Sequence, residues 1–181
     1  MIEKRGATSP PLGNLSPDEL ALWTGFAQTH AVLARELDTD LRVGHGVSLS
    51  DYEILSGLGA LPCERVRMAA LADRVELSPS GLSRAIERLE ARGLVRREPC
   101  SEDRRGAFAA LTDAGLALVL AAGATHAAGI RRRFLDRITP EERRSMASAW
   151  ARLLAGSKGY CGWRTSPDLP ADEAGSETDA P

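Results

Sequence analysis

Residues 77–112 read LSPSGLSRAIERLEARGLVRREPCSEDRRGAFAALT. The hydrophobic period changes within this stretch. From Pro79 to about Arg92, the residues Leu82, Ala85, Ile86 and Leu89 recur on one face at helical spacing. Ser78 stands where an N-cap belongs, Pro79 at the first helical position, and Gly93 where a helix stops. After Gly93 the pattern shortens. Residues 94–98 (LVRRE) and 106–112 (GAFAALT) read as two strands, joined by the polar turn PCSEDRR into a β-hairpin.

The elements on either side follow from similar signals. A short helix is expected from Arg67 to Val75, with Met68, Leu71 and Val75 inward. A short connection joins it to the 79–92 helix, which makes a helix-turn-helix, and the hairpin beside it is a wing. Capping boxes at SPDE (16–19), SDYE (50–53) and TPEE (139–142) predict three more helix starts. The first helix runs from Pro17 to about Val43, with Leu20, Trp23, Ala27, His30, Ala34, Leu37 and Leu41 forming a seam suited to a partner helix. The second covers about Asp51 to Ala60 and buries Tyr52, Leu55 and Leu58. An alanine-rich helix from Asp113 to Asp136 and a last one from Pro140 to Leu154 complete the order α-α-α-α-β-β-α-α. The fold class is therefore mainly α with a small β-hairpin: a winged helix-turn-helix at 50–112 flanked by helices at 17–43, 113–136 and 140–154. Residues 16–156 form one domain, 1–15 a flexible segment and 157–181 a disordered acidic tail.

The 181 residues carry a formal net charge of −2, but the distribution is uneven. Residues 166–181 hold five acids and no base, which leaves +3 on residues 1–165. Seven arginines fall between Arg84 and Arg105. No run of eighteen uninterrupted apolar residues appears, and the N-terminus MIEKRGATSPPLGN lacks an apolar segment, so neither a membrane span nor a secretory signal is expected. Cys63, Cys100 and Cys161 are distant and odd in number, as free thiols of a reducing cytoplasm would be. His30, His45 and His126 lack metal-ligand spacing. With no glycine-rich phosphate loop, paired catalytic acids or nucleophile elbow, an enzyme is not expected, nor a metal or cofactor.

The candidate chemistry lies on the 79–92 helix and the wing. Opposite its apolar face the helix presents Ser80, Ser83, Arg84, Glu87 and Arg88. Its first turn is small (Ser78, Pro79, Ser80, Gly81, Ser83), so its backbone can approach a groove floor while Arg84 and Arg88 reach base edges or phosphates. Arg96, Arg97, Arg104 and Arg105 lie on the stem and tip of the hairpin, where an arginine can enter a minor groove. The plainer alternative is a solvated face in which Glu87 and Glu90 pair with Arg84 and Arg88. Residues 78–106 hold seven arginines against five acids. Charge alone leaves the two open, and the arginine-tipped hairpin directly after the helix-turn-helix favours nucleic acid.

Between Ser16 and Ala155, this order of elements resembles the MarR (multiple antibiotic resistance regulator) family of bacterial transcription factors. DRR at 103–105 is similar to the family's wing signature D-x-R, and LTDAG at 111–115 to the start of its fifth helix. The resemblance implies a homodimer built on the first, fifth and sixth helices, with two winged lobes reaching successive major grooves of double-stranded DNA. It implies that Asp103 holds the wing by pairing with an arginine and that Arg105 enters the minor groove. Arg84 and the hydroxyls of Ser78, Ser80 and Ser83 then face the major groove, and Arg88 a phosphate. Pro79 and Gly81 depart from the bulkier polar residues often found there, so base preference does not carry over.

The resemblance further implies a small aromatic or phenolic ligand between dimer domain and lobe. Trp23, Phe26, His30, Tyr52 and Leu55 are the candidate residues, although aromatics at helical spacing also make core, and His30 also suits a hydrogen-bonded interface. Two alternatives are a thiol-responsive regulator acting through Cys100 and a winged-helix adaptor without DNA binding. The expectation is a cytoplasmic homodimeric repressor on a pseudo-palindrome with half-sites about one helical turn apart.

Overall fold

A computed structural model describes residues 14–59, 65–75, 77–99 and 107–155. Its first helix, α1 (Pro17–His45), starts where the capping box placed it. The Glu19 N–H donates to Ser16 Oγ (3.3 Å) and the Ser16 N–H to Glu19 Oε2 (2.7 Å). The helix runs two residues past Val43 and ends at Gly46, whose φ of 67° is the left-handed conformation that glycine adopts without strain.

Helix α2 (Leu49–Gly59) corrects the expected start. Ser48, not Ser50, supplies the cap: its Oγ accepts the Asp51 N–H (3.0 Å). The Leu49 N–H donates to Asp38 Oδ1 on α1 (2.8 Å), so the chain turns helical almost as soon as it leaves α1. Asp38 is held below the usual carboxylate range by its bond from Arg42 and then by that N–H.

A two-residue strand, β1 (Val66–Arg67), precedes α3 (Met68–Arg74) and was not expected. It pairs antiparallel with β3, Val66 opposite Ala109 and Arg67 opposite Phe108. Helix α4 (Pro79–Ala91) is capped by Ser78, and Gly93 beyond it has φ 70°. Strands β2 (Val95–Pro99) and β3 (Ala107–Leu111) pair antiparallel with Val95 opposite Leu111. The sheet order β1-β3-β2 leaves β2 on an edge.

Helix α5 (Asp113–Arg133) ends earlier than the predicted Asp136. The chain breaks at Phe134, makes one 3-10 turn over Leu135–Arg137, and enters α6 (Pro140–Leu154) through the expected Thr139–Glu142 capping box. Arg143 stabilises the break by donating to the carbonyls of Leu135 (2.6 Å) and Ile138 (3.3 Å), and Phe134 stacks on Trp150 with ring centres 6.2 Å apart.

The main core gathers Ile54, Leu55 and Leu58 from α2, Leu71 from α3, Leu82, Ile86 and Leu89 from α4, and Val95 and Ala109 from the sheet. A second cluster of Leu41, Val47, Tyr52 and Ala122 joins α1, α2 and α5. The run 113–137 is long and apolar enough, by length and composition, to cross a bilayer. In this fold its Ala122 and Gly129 are buried, and Arg132 and Arg133 form ion pairs to Asp40 and Glu36 of α1.

Two helices keep much of their surface uncovered by the other described residues. Helix α6 buries no residue, and α1 buries only Leu37 and Leu41, both in its later half. Of the predicted seam, Leu20, Trp23, Ala27 and His30 are exposed.

The strand-to-helix junction is tied by one side chain. Thr112 Oγ1 accepts the Gly115 N–H (3.0 Å) and donates to the Gly93 carbonyl (2.7 Å). Thr112→Ala is expected to lower stability by about 1–2 kcal/mol in denaturant titration, with Thr112→Ser retaining most of it.

Candidate nucleic-acid interface

Burial of Leu82, Ala85, Ile86 and Leu89 fixes the rotation of α4 about its axis. Burying a leucine or isoleucine fully is worth about 1.5–3 kcal/mol, so three such anchors outweigh any preference of the polar face. Pro79, Ser80, Arg84, Glu87 and Arg88 are thereby exposed, with Gly81 and Ser83 half-buried. Ser78 Oγ accepts the Gly81 N–H (3.1 Å) and lies 3.4 Å from Ser80 Oγ. A Cβ on residue 81 would come within 3.1 Å of that cap hydroxyl, which accounts for the small residue at this position.

The arginines divide by what they touch. Arg88 donates through Nη2 to Asp51 Oδ1 on α2 (3.0 Å) and through Nη1 to the Arg84 carbonyl (3.3 Å). Arg97 lies on α4, its Nη2 donating to the Ser83 carbonyl (2.8 Å) and approaching Glu87 Oε1 (3.4 Å). Glu87 and Glu90 therefore pair across elements with Arg97, not with Arg84 and Arg88 along the helix. The physical reason is that the β2 edge comes within reach of the α4 carboxylates. Arg84 is exposed, and among the described residues its guanidinium has no hydrogen-bond or ion-pair partner. The sequence does not reveal Asp51 as the counter-ion of Arg88, because the pair spans 37 positions.

A second cluster on the sheet also escaped the sequence. Arg65 and Arg67 lie over the Phe108 ring at 4.7 and 5.4 Å, and Glu98 receives hydrogen bonds from Arg65 (3.2 Å) and Arg96 (3.0 Å). Those bonds hold the Glu98 carboxyl below its usual range, Arg96 first and Arg65 second. Strand β1 is the missed element behind this cluster; its two residues are too few to show a period. Asp103, Arg104, Arg105 and Cys100 lie outside the described residues.

The five candidate ligand residues are not brought into one place. Leu55 belongs to the main core and Tyr52 to the second cluster, its ring 5.0 Å from that of His126. Burial pushes the Tyr52 phenol up and the His126 imidazole down. Trp23 and Phe26 form an exposed pair on α1 with ring centres 6.0 Å apart, and His30 is exposed further along it. His45 hydrogen-bonds Thr125 Oγ1 (2.8 Å).

Comparison with known proteins gives a consistent set of likenesses. The MarR family profile matches residues 45–106, which span the helix-turn-helix and the start of the wing. AbsC, a MarR family transcriptional regulator from Streptomyces coelicolor, is 37% identical over 78% of this chain and 97% of its own, with a TM-score of 0.72. Sco3205, a MarR family transcriptional regulator from the same organism, solved in complex with DNA, is 34% identical over 78% and 92%, with a TM-score of 0.73. The organohalide-sensing regulator RdhR-CbdbA1625, solved with 2,4-dichlorophenol, shares the fold at 18% identity over 86% and 90%, with a TM-score of 0.69. No curated protein matches.

Proposed function

The chain belongs to the MarR family of DNA-binding transcriptional regulators, which are not enzymes, and from that premise we propose that it is a homodimeric cytoplasmic repressor released from its operator by a small aromatic ligand. The observation that carries the DNA part is the start of α4, where Pro79 and Ser80 are exposed and Gly81 and Ser83 half-buried, followed by an exposed Arg84 whose guanidinium has no partner among the described residues. Ser80, Gly81 and Ser83 let the helix backbone close on the major groove, where Arg84 reads a base edge. Pro79 starts the helix and Ser78 caps it, so these two set the approach. Arg88, steered by Asp51, meets a phosphate. Asp103 steadies the wing, and Arg104 and Arg105 carry its charge to the minor groove.

Dimerisation is supported by the surface left open. Leu20, Leu22, Trp23 and Phe26 on α1, Leu116 and Leu120 on α5, and Trp150, Leu153 and Leu154 on α6 are all exposed, with Leu22 and Leu153 at 77% and 74%. Three helices of one chain rarely carry so much uncovered apolar surface without a partner. The ligand reading rests on the exposed Trp23–Phe26 pair of α1, with His30 exposed further along the same helix, and on the dichlorophenol held by the organohalide-sensing relative; Tyr52 and Leu55 are buried in separate clusters and fall outside it. A ligand releases DNA only to the extent that it prefers one lobe spacing over the other.

The decisive measurement is a salt titration of binding to a duplex selected from random DNA, combined with sedimentation. Neutralising three or more phosphates gives a log–log slope of about −3 or steeper. Twice the chain mass is expected at micromolar concentration. Affinity indifferent to salt, or a stable single subunit, would overturn the proposal.

A further inference from the structure

Arg97 makes more hydrogen bonds and ion pairs to α4 than any other described residue of the wing. Strand β2 is an edge strand, and the Arg97 N–H donates to Glu90 Oε1 (3.2 Å) on the helix. The same residue's Nη2 donates to the Ser83 carbonyl (2.8 Å) and lies 3.3 Å from Ser83 Oγ and 3.4 Å from Glu87 Oε1. Its Nε stands 3.6 Å from Glu90 Oε2, at ion-pair range. The side chain is 30% exposed and lies along the helix. Exposed ion pairs alone stabilise little. Here the shortest bond goes to a backbone carbonyl, and the planar guanidinium spans three residues of α4 at once. Glu87 and Glu90 are otherwise anomalous, since a carboxylate on a phosphate-facing helix repels the duplex.

We propose that Arg97 is a positioning residue: clasped by Ser83, Glu87 and Glu90, it sets the angle of the wing against α4, so that helix and hairpin meet one duplex at a fixed spacing. The proposal deepens the DNA-binding reading above and rests on it. It also gives the two carboxylates a use, and it removes Arg97 from the direct DNA contacts expected of the hairpin arginines.

The test titrates full-length wild type, Arg97→Ala, Arg97→Lys, Glu90→Ala and the double variant Arg97→Ala/Glu90→Ala against a fluorescent duplex that the wild type selects from random DNA. Glu90→Ala is expected to weaken binding about fivefold or more, although it deletes a negative charge. Arg97→Lys is expected to fall with Arg97→Ala, because the point charge lacks the fork. The double variant is expected to bind no more weakly than Arg97→Ala. If Glu90→Ala binds more tightly and Arg97→Lys matches wild type, Arg97 contacts phosphate directly and the proposal fails. Amide exchange supplies an arm independent of DNA. Residues 95–99 and 107–111 are expected to lose protection in Arg97→Ala and Glu90→Ala at unchanged global stability; unchanged protection overturns the clasp. Failure of the wild type to select any duplex would sink the DNA reading instead, and the exchange result would still decide the clasp.

Discussion

Arg84→Ala is expected to weaken binding to the selected duplex by about 1–3 kcal/mol per half-site, or roughly 30-fold or more when both copies of a dimer are changed. The magnitude follows from the surroundings of the side chain. Its guanidinium has no counter-ion among the described residues, so no internal bond there competes with a base edge. Its carbonyl accepts from Arg88 Nη1, and alanine keeps that carbonyl. Folding should therefore be untouched, and the variant should unfold with the wild type. Base preference should relax at the position each Arg84 reads, whereas loss of a phosphate contact weakens all sequences alike. A variant that binds as tightly and selects the same sequence would remove Arg84 from the interface.

Gly115→Ala is expected to cost at least about 3 kcal/mol of stability, more than overpacking usually costs, because the obstacle is backbone. A methyl group at residue 115 would run into the Leu94 carbonyl oxygen and come within 3.2 Å of Leu111 Cδ2. The Leu94 carbonyl also accepts the Thr112 N–H (3.1 Å), so it cannot move without loosening the junction. For a chain of this size the midpoint should fall by roughly 6–12 °C, measured at fixed protein concentration. Gly44→Ala is the control: nothing lies within 4 Å of that position, and the midpoint should hold or rise. Equal midpoints for the two variants would refute the close approach of α5 to the Leu94 carbonyl.

The features legible beforehand are those whose partners lie within a few residues. Ser16 with Glu19, Ser78 with Gly81, and Thr139 with Glu142 complete their hydrogen bonds inside one turn, and all three helices start where the sequence places them. The start of α2 was misplaced because Asp38, eleven positions away on α1, takes the Leu49 N–H. Strand β1 was missed because its partner is the distant β3. The same division runs through the site. The exposure of Arg84 follows from helical spacing alone. The pairing of Glu87 and Glu90 does not, since local spacing offers Arg84 and Arg88 whereas the fold brings Arg97. Aromatic spacing likewise cannot separate Leu55, which is core, from Trp23, which is 56% exposed.

Between the end of β3 at Leu111 and the start of α5 at Asp113 lies a single residue. Its N–H and hydroxyl are bonded to the carbonyls of Leu94 and Gly93, just before β2. Such a joint is a weld rather than a hinge. Helix α5 is 21 residues long, a rod of about 30 Å. Tilting a rod of that length by about 5° shifts its tip by roughly 2.5 Å. Any disturbance at the Arg133 end is therefore delivered to the hairpin as a change of heading, with no moving part in between.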